Sequence, residues 1–116
     1  MWNPPGFSRL PEYRAADVQR RLAAGEISVL DVREPDEWRA GHIAGAHWIP
    51  LDDLEDRFGE LDKSREWVCV CHLGQRSAMA AGLLSEEGFR VANLAGGMAA
   101  WEQQGLPTEG GSGASR

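Results

Sequence analysis

The stretch Trp67–Ser77, WVCVCHLGQRS, decides the fold of this chain. It opens with five consecutive apolar residues and changes character after Cys71, where a short segment without a carboxylate begins. From Ser77 the sequence becomes rich in Ala and Leu, and the pattern predicts a buried strand, a short loop that begins with a cysteine, and a helix. A strand that is apolar throughout suits a parallel sheet covered on both faces. The expected apolar stripe of the helix consists of Met79, Ala80, Leu83 and Leu84.

The loop after Cys71 is predicted to hold an anion. Amides without partners and the positive end of the helix dipole both favour negative charge at a helix start, so the thiol should be ionised near neutral pH. Arg76 lies at the start of the helix, and Glu86 and Glu87 lie near its end, which reverses the order that stabilises a helix. We therefore expect a positive pocket around Cys71, the predicted nucleophile. Cys69 is expected to be a small apolar strand residue, with a role as a resolving thiol left open.

Length and composition restrict the possible classes of protein. The chain has 116 residues, enough for one domain, and its net charge of −6 argues against binding to nucleic acid or an anionic membrane. No apolar run approaches the roughly 18 residues of a membrane helix, and the first residues do not resemble a secretory signal. The two cysteines, in a C-x-C pattern, suit a reducing compartment. The sequence thus predicts a cytoplasmic protein with no membrane partner.

The rest of the chain alternates strands and helices between two irregular ends. We expect an N-terminal arm at residues 1–10, a folded domain at 11–107 and a flexible tail at 108–116. The alternation predicts an α/β fold, with a small parallel sheet flanked by helices on both faces and a ligand site beyond the carboxyl ends of the strands. Besides the central unit, the predicted elements are an edge strand at 12–14, a helix at 15–24, a strand at 27–32, a helix at 35–40, a strand at 47–49, a helix through Leu54 and Phe58, a strand at 91–94 and a helix at 98–104.

Four separate stretches carry motifs in a fixed order. They are Leu30–Pro35 with Glu37 and Trp38, Gly41–Ala46 with Ile49–Leu51, Cys71-x-x-Gly74-x-Arg76-Ser77, and Leu94–Met98 with Trp101. Together they resemble the rhodanese family of sulfurtransferases over about Tyr13 to Leu106. The resemblance implies the three-layer rhodanese-like fold and a Cys71 that takes sulfane sulfur from thiosulfate or a persulfide donor. Cys71 would hold this sulfur as a covalent persulfide, without a cofactor, and pass it to cyanide, a thiol or a partner protein.

The resemblance also implies that the loop binds the donor. Its substrate-binding residues would be His72, Leu73, Gly74, Gln75, Arg76 and Ser77. The position after the cysteine, often Arg in the family, is His72 here, and Leu73 also departs from the common pattern. Because His is only partly charged near neutral pH, we predict weak thiosulfate turnover that improves as His72 becomes protonated.

Several residues have two interpretations each. Arg76 either binds the anionic donor or pairs with an acidic side chain that braces the loop. Ser77 either donates to the persulfide or caps the helix, and the cap is preferred. Asp31 and Arg33 could reach the pocket in a supporting role, but an internal salt bridge is favoured. His42 is expected to be a hydrogen-bonded structural residue. The tryptophans are expected to lie in the core or in a pocket wall rather than to form a stacking platform: Trp38, Trp48, Trp67 and Trp101.

Other uses of Cys71 differ in the spacing or in the partner that they require. A small phosphatase of related fold would need Cys-x5-Arg, whereas Cys71-x4-Arg76 is one residue shorter and suits a single sulfur atom better than a phosphate. A sulfur-carrier or adaptor domain that acts on a partner protein would retain the same cysteine and therefore stays open. A metal site formed by Cys69, Cys71 and His72 is not expected, because residues so close in sequence cannot arrange tetrahedral ligation.

Overall fold

The computed structural model describes residues 10–110 and has an α/β architecture. No helix within this range has both the length and the apolar character to cross a membrane. The strands are β1 (Glu12–Tyr13), β2 (Ser28–Asp31), β3 (His42–Ile43), β4 (His47–Trp48), β5 (Glu66–Val70), β6 (Arg90–Leu94) and β7 (Thr108–Glu109). The helices are α1 (Ala15–Ala23), α2 (Pro35–Arg39), α3 (Leu54–Arg57), α4 (Gln75–Glu86) and α5 (Gly97–Gln103).

The main sheet has five parallel strands in the order β1-β6-β5-β2-β4. The stretch that ends at Cys71 therefore forms the central strand, as the sequence predicts. Side chains alternate along β5, so that Cys69 and Cys71 belong to one buried cluster and Val68 and Val70 to the other. Helices α3 and α4 cover the first face, and α1 and α5 cover the second. The predicted α/β fold with helices on both faces is confirmed.

Helix α4 differs from its prediction in which residues it buries. Met79 was placed in the apolar stripe, but 58% of it is exposed. The buried residues of α4 are Ser77, Ala80, Ala81, Gly82 and Leu84. These are mostly small, so the helix axis can approach the sheet closely, and Met79 points away from that contact. The prediction was wrong at Met79 because residue size, and not only hydrophobicity, selects the face that packs.

The predicted flexible tail begins too early. Thr108 and Glu109 form β7, which pairs antiparallel with His42 and Ile43 of β3 in a separate two-stranded sheet. The indole of Trp101 donates to the carbonyl of Pro107 at 2.9 Å, and this contact directs the chain toward β3. Of the predicted tail, residues 111–116 lie outside the described range, as do residues 1–9 of the predicted arm.

Candidate active site

Cys71 lies directly after the central strand, at the carboxyl edge of the sheet. The chain turns at Gly74, whose φ of +115° suits a residue without a Cβ. This turn aims the Gly74 amide back at the cysteine, with 3.1 Å between the amide nitrogen and Cys71 Sγ. Cys71 is only 1% exposed, so its sulfur lies on the floor of the loop rather than on its rim.

The two thiols of the chain have opposite electrostatic environments. Burial raises the pKa of Cys71, but hydrogen bonds from the Ser77 hydroxyl and from the amides of Ser77, Gly74 and Arg76 outweigh it and hold the pKa below the ordinary value of 9.0. Burial, with a smaller contribution from Cys71, raises the pKa of Cys69 to about 12. Only Cys71 is therefore poised to react as a thiolate.

Arg76 braces the loop. Its guanidinium donates two hydrogen bonds to the Glu37 carboxylate, at 2.7 and 2.8 Å. The hydrogen bond from Arg76 lowers the pKa of Glu37 to about 2, against the opposing effect of burial. The prediction that Arg76 makes the pocket around Cys71 positive is wrong, because Glu37 neutralises the charge of its guanidinium. The attraction for an anion at Cys71 comes instead from main-chain amides and the Ser77 hydroxyl.

Asp31 and Arg33 form the favoured internal salt bridge. Both are buried, and the Arg33 guanidinium binds the Asp31 carboxylate with contacts of 2.8 to 3.1 Å. Arg33 also donates to the carbonyl of Gly41 at 2.8 Å. The pair therefore fixes the connection between β2 and β3. Helix α2 lies in this connection and carries Glu37. The Asp31–Arg33 pair therefore supports the Arg76–Glu37 pair, which braces the loop, without contacting Cys71.

Ser77 does not cap the helix, and this preferred interpretation is wrong. Helix α4 begins at Gln75 with Gly74 as its N-cap, which places Ser77 inside the first turn. The Ser77 hydroxyl lies 3.3 Å from Cys71 Sγ and 2.5 Å from Asn93 Oδ1. Asn93, on β6, also donates from Nδ2 to the carbonyl of Gly74 at 3.0 Å. The sequence interpretation did not include Asn93, although one amide in the apolar run VANL is a signal that could have identified it.

The start of helix α5 supports the loop from behind. The amide of Met98 donates to the carbonyl of Cys71 at 2.8 Å, and that of Ala99 donates to the carbonyl of His72 at 3.0 Å. A Cβ at Gly97 would lie 2.4 Å from both carbonyl oxygens. A glycine is thus required where the helix start meets the loop backbone.

The rim of the loop is formed by exposed side chains. His72, Gln75 and Leu73 are exposed, and the exposed fraction of Leu73 is 57%. A cavity of about 650 Å³ lies elsewhere, between α3 and α4, and includes no loop residue. We assign the chemistry to the loop because the polarised thiol lies there. Among residues 10–110, no group of three or more His, Cys, Asp and Glu side chains is placed to hold a metal ion.

His42, Trp38 and Trp48 lie near the Arg76–Glu37 pair rather than in the loop. The Nδ1 atom of His42 lies 2.8 Å from the carbonyl of Trp38, and the two rings stack with 3.4 Å between centroids. Trp48 stacks on Trp38 in turn, and both are half-buried. Trp67 and Trp101 are buried in the two core clusters. The predicted structural role of His42 and the core positions of Trp67 and Trp101 are confirmed.

The chain is similar in sequence and in structure to known proteins. The model of the rhodanese-like domain family matches residues 14–104. A sulfurtransferase of Allochromatium vinosum is 37% identical over 98 residues, which cover 83% of this chain and 92% of that protein. A Bacillus subtilis protein named as a sulfur carrier, YrkF, is 38% identical over 96 residues, but the chain spans only 52% of its length. The crystal structure of a rhodanese-related protein from Thermoplasma volcanium has a TM-score of 0.81 at 32% identity, covering 85% of this chain and 97% of that one.

Proposed function

Because this chain belongs to the rhodanese-like domain family, which supports a role in sulfur transfer, we propose that it is a sulfurtransferase whose Cys71 carries sulfane sulfur as a persulfide. The observation that carries the proposal is the ring of donors around Cys71 Sγ, with the Gly74 amide at 3.1 Å and the Ser77 hydroxyl at 3.3 Å. Thiosulfate or a persulfide is the proposed donor, and cyanide, a small thiol or a protein thiol is the proposed acceptor. Two free cysteines and no disulfide suit a reducing compartment, and we propose the cytoplasm.

The loading step is a nucleophilic displacement at sulfur. The Cys71 thiolate attacks the outer sulfur of the donor, a new S–S bond forms, and the bond from that sulfur to the rest of the donor breaks. With thiosulfate, the leaving group is sulfite, which takes the electron pair of the broken bond. The charge balances, because one thiolate becomes one persulfide anion and the dianionic donor becomes dianionic sulfite. No general base is needed where the thiol is already ionised.

The loop backbone stabilises the charge that moves in this step. The negative charge passes from Sγ of Cys71 to the outer sulfur of the persulfide, within reach of amides at the start of α4. These amides are fixed in advance, since the Arg76–Glu37 pair holds one side of the loop and the amides of Met98 and Ala99 hold its back. The acceptor thiol or cyanide then attacks the outer sulfur and regenerates the Cys71 thiolate.

The test is the intact mass of the protein after incubation with thiosulfate. We expect the native chain to gain one sulfur atom and to lose it again on addition of cyanide, and Cys71→Ser to gain none. Cys69→Ala is the matched control, because it removes the neighbouring thiol without placing a new polar group in the core, and it should retain the gain. Loading of Cys71→Ser, or no loading of the native chain by either thiosulfate or a low-molecular-weight persulfide, would refute the proposal.

A second candidate function is sulfur delivery to a partner protein. It is favoured by the exposed apolar side chain of Leu73 on the rim of the loop, which an anionic donor does not need. A carrier should load once and transfer slowly to cyanide, whereas a stand-alone enzyme should turn over steadily. Comparison of the single-turnover loading rate with the steady-state rate separates the two. A phosphatase role is disfavoured, since Arg76, the one arginine of the loop, is already bound to Glu37.

A further inference from the structure

The hydroxyl of Ser77 has one proton and two neighbouring acceptors. Ser77 is fully buried, and its oxygen lies 3.3 Å from Cys71 Sγ and 2.5 Å from Asn93 Oδ1. A hydroxyl can donate only one hydrogen bond at a time, although it can accept others. Ser77 therefore cannot donate to the sulfur and to the asparagine together.

The amide of Asn93 is oriented by its other contacts. Its Nδ2 donates to the carbonyl of Gly74 at 3.0 Å and to the carboxylate of Glu12 at 3.3 Å. Both of these neighbours can only accept, so the nitrogen must face them and Oδ1 must face Ser77. Asn93 is only 3% exposed, and the Ser77 hydroxyl is the contact that Oδ1 makes within the described residues.

The direction of the Ser77 proton depends on the charge of Cys71. When Cys71 is a thiol, its S–H can donate to Ser77 Oγ while the Ser77 hydroxyl donates to Asn93, and every group is satisfied. When Cys71 is a thiolate, the hydroxyl gains most by turning to the sulfur, and Asn93 Oδ1 then loses its donor. A buried acceptor without a donor is unfavourable, so this arrangement opposes ionisation.

We propose that Asn93 is a positioning residue that limits the ionised fraction of Cys71 by competing with the sulfur for the single proton of Ser77. In the persulfide, Sγ no longer carries the charge, so the hydroxyl can return to Asn93 while loop amides bind the outer sulfur. The competition thus favours the persulfide over the free thiolate, a consequence that rests on the proposed function. The effect on the free thiol does not rest on it.

Other charged and titratable groups around this site come from several elements. Arg76 of α4 is neutralised by Glu37 of α2, and Glu12 of β1 contacts Asn93 itself. Cys69 of β5 lies in the same core cluster as Cys71, and His72 is exposed on the rim. None of these groups contacts the Ser77 hydroxyl in the described part of the chain. Substitutions at Ser77 leave all of them in place. Substitutions at Asn93 also release the Glu12 carboxylate, but they do so with and without Ser77, so this contribution cancels in a comparison of the two backgrounds.

The experiment is a double-substitution cycle that follows the rate of Cys71 alkylation by iodoacetamide as a function of pH, which requires no sulfur transfer. Asn93→Ala frees the Ser77 proton for the sulfur, and we expect the pKa of Cys71 to fall by about half a unit and the alkylation rate below that pKa to rise about threefold. Asn93→Asp keeps the acceptor and adds negative charge, so it should raise the pKa. Ser77→Ala should raise the pKa as well. In the Ser77→Ala background, Asn93→Ala should have no further effect.

The alternative is that Asn93 only holds Gly74 in place. In that case Asn93→Ala would disorder the loop, raise the pKa of Cys71 and do so equally in both backgrounds, and this outcome would overturn the proposal. Thermal unfolding of each variant identifies any that fails to fold. If Asn93→Ala does not fold, Asn93→Asp decides: competition through the hydroxyl predicts a larger rise of the Cys71 pKa with Ser77 than in the Ser77→Ala background, and a rise of the same size in both backgrounds excludes it. A native chain that shows these shifts but does not load sulfur would refute the proposed function and leave this proposal standing.

Discussion

Cys69 and Cys71 are two positions apart, but the pKa values of their thiols are shifted in opposite directions. They point into the same core cluster, and both are almost fully buried. Cys69 lies within the strand, where burial, with a smaller contribution from Cys71, raises its pKa to about 12. Cys71 follows the last strand residue, where the chain bends and amides become free to face its sulfur. The turn of backbone after the strand, and not the identity of the side chain, gives one cysteine a raised pKa and the other a lowered one.

His72 is exposed at the rim of the loop, where the sequence predicts that it contacts the anionic donor. If it binds the anionic donor, its protonation should lower the KM for thiosulfate, so that the rate of the native chain divided by that of His72→Gln rises as the pH falls from about 8 to 6. Taking this ratio cancels the ionisation of Cys71, which both proteins share. His72→Arg should lower the KM about fivefold at pH 8, roughly the 1 kcal/mol of an exposed ion pair, and should show no such rise.

Steady-state kinetics of sulfur transfer from thiosulfate to cyanide gives the KM for thiosulfate and the ratio of the native rate to that of His72→Gln at each pH. A ratio that stays flat across this pH range would mean that His72 is a solvated rim residue. The carbonyl of His72, which accepts from Ala99, would then be its whole contribution to the loop.

Two elements distant in sequence meet where Glu37 of α2 binds Arg76 of α4. Glu37 is held to a pKa of about 2, below its ordinary 4.5, so its charge stabilises the folded state above about pH 4.5, and this stabilisation is lost as the pH falls toward 2. We expect Glu37→Gln to lower the free energy of unfolding near neutral pH by about 1 kcal/mol, a modest amount because both side chains are about one third exposed.

Urea unfolding of the native chain and of Glu37→Gln at several pH values measures this effect. The difference between the two proteins should be constant from pH 7 to about pH 5 and should shrink below that range. Asp36→Asn is a suitable control, because the Asp36–Arg39 pair lies in the same helix but is exposed and has no link to the loop. An equal loss of stability in both variants would contradict the role of Glu37 as a brace.

The contact between α5 and the loop depends on the absence of a side chain at Gly97. An added Cβ would meet the carbonyl oxygens of Cys71 and His72 at 2.4 Å, and φ at this residue is +57°. Gly105, just beyond the same helix, has a similar φ of +70° but nothing within 4 Å of the added atom. Gly105→Ala should therefore incur backbone strain alone, about 1 kcal/mol, whereas Gly97→Ala should destabilise by at least about 2 kcal/mol more.

Thermal unfolding and the rate of sulfur loading should separate the two glycine variants. We expect Gly97→Ala to load more slowly, since relief of the clash must move the Cys71 and His72 carbonyls and with them the ring of amides. Gly105→Ala should load at the native rate. Equal behaviour of the two variants would show that the loop does not depend on support from α5.

On the scale of the whole molecule, the features predicted correctly were those that depend on residues close together in the sequence. The apolar run before Cys71 was enough to place the central strand, and the strand–helix alternation was enough for the parallel sheet. The partner of Arg76 was not identified, because Glu37 is 39 residues away and its proximity exists only after folding. Asn93 was missed although its amide interrupts an apolar run, because its contact with Ser77, 16 residues away, forms only on folding. Ser77 was assigned to a cap that a glycine provides. Charge order along one helix could not reveal that an acid from another helix neutralises its first arginine.

The small sheet of β3 and β7 connects the end of the described chain to the region of α2, whose Glu37 binds Arg76 and braces the loop. Gly110 packs on the ring of His42, and His42 stacks on Trp38, which follows Glu37 in α2. A chain that ends at Pro107 loses β7, and because β7 is exposed we expect a loss of only about 1 kcal/mol of stability. Sulfur loading should stay at the native rate, since the buried Asp31–Arg33 pair fixes the connection around α2 independently. A chain that ends at Gly110 keeps β7 and is the matched control. Slower loading of the shorter chain alone would mean that β7, and not the salt bridge, holds the brace in position.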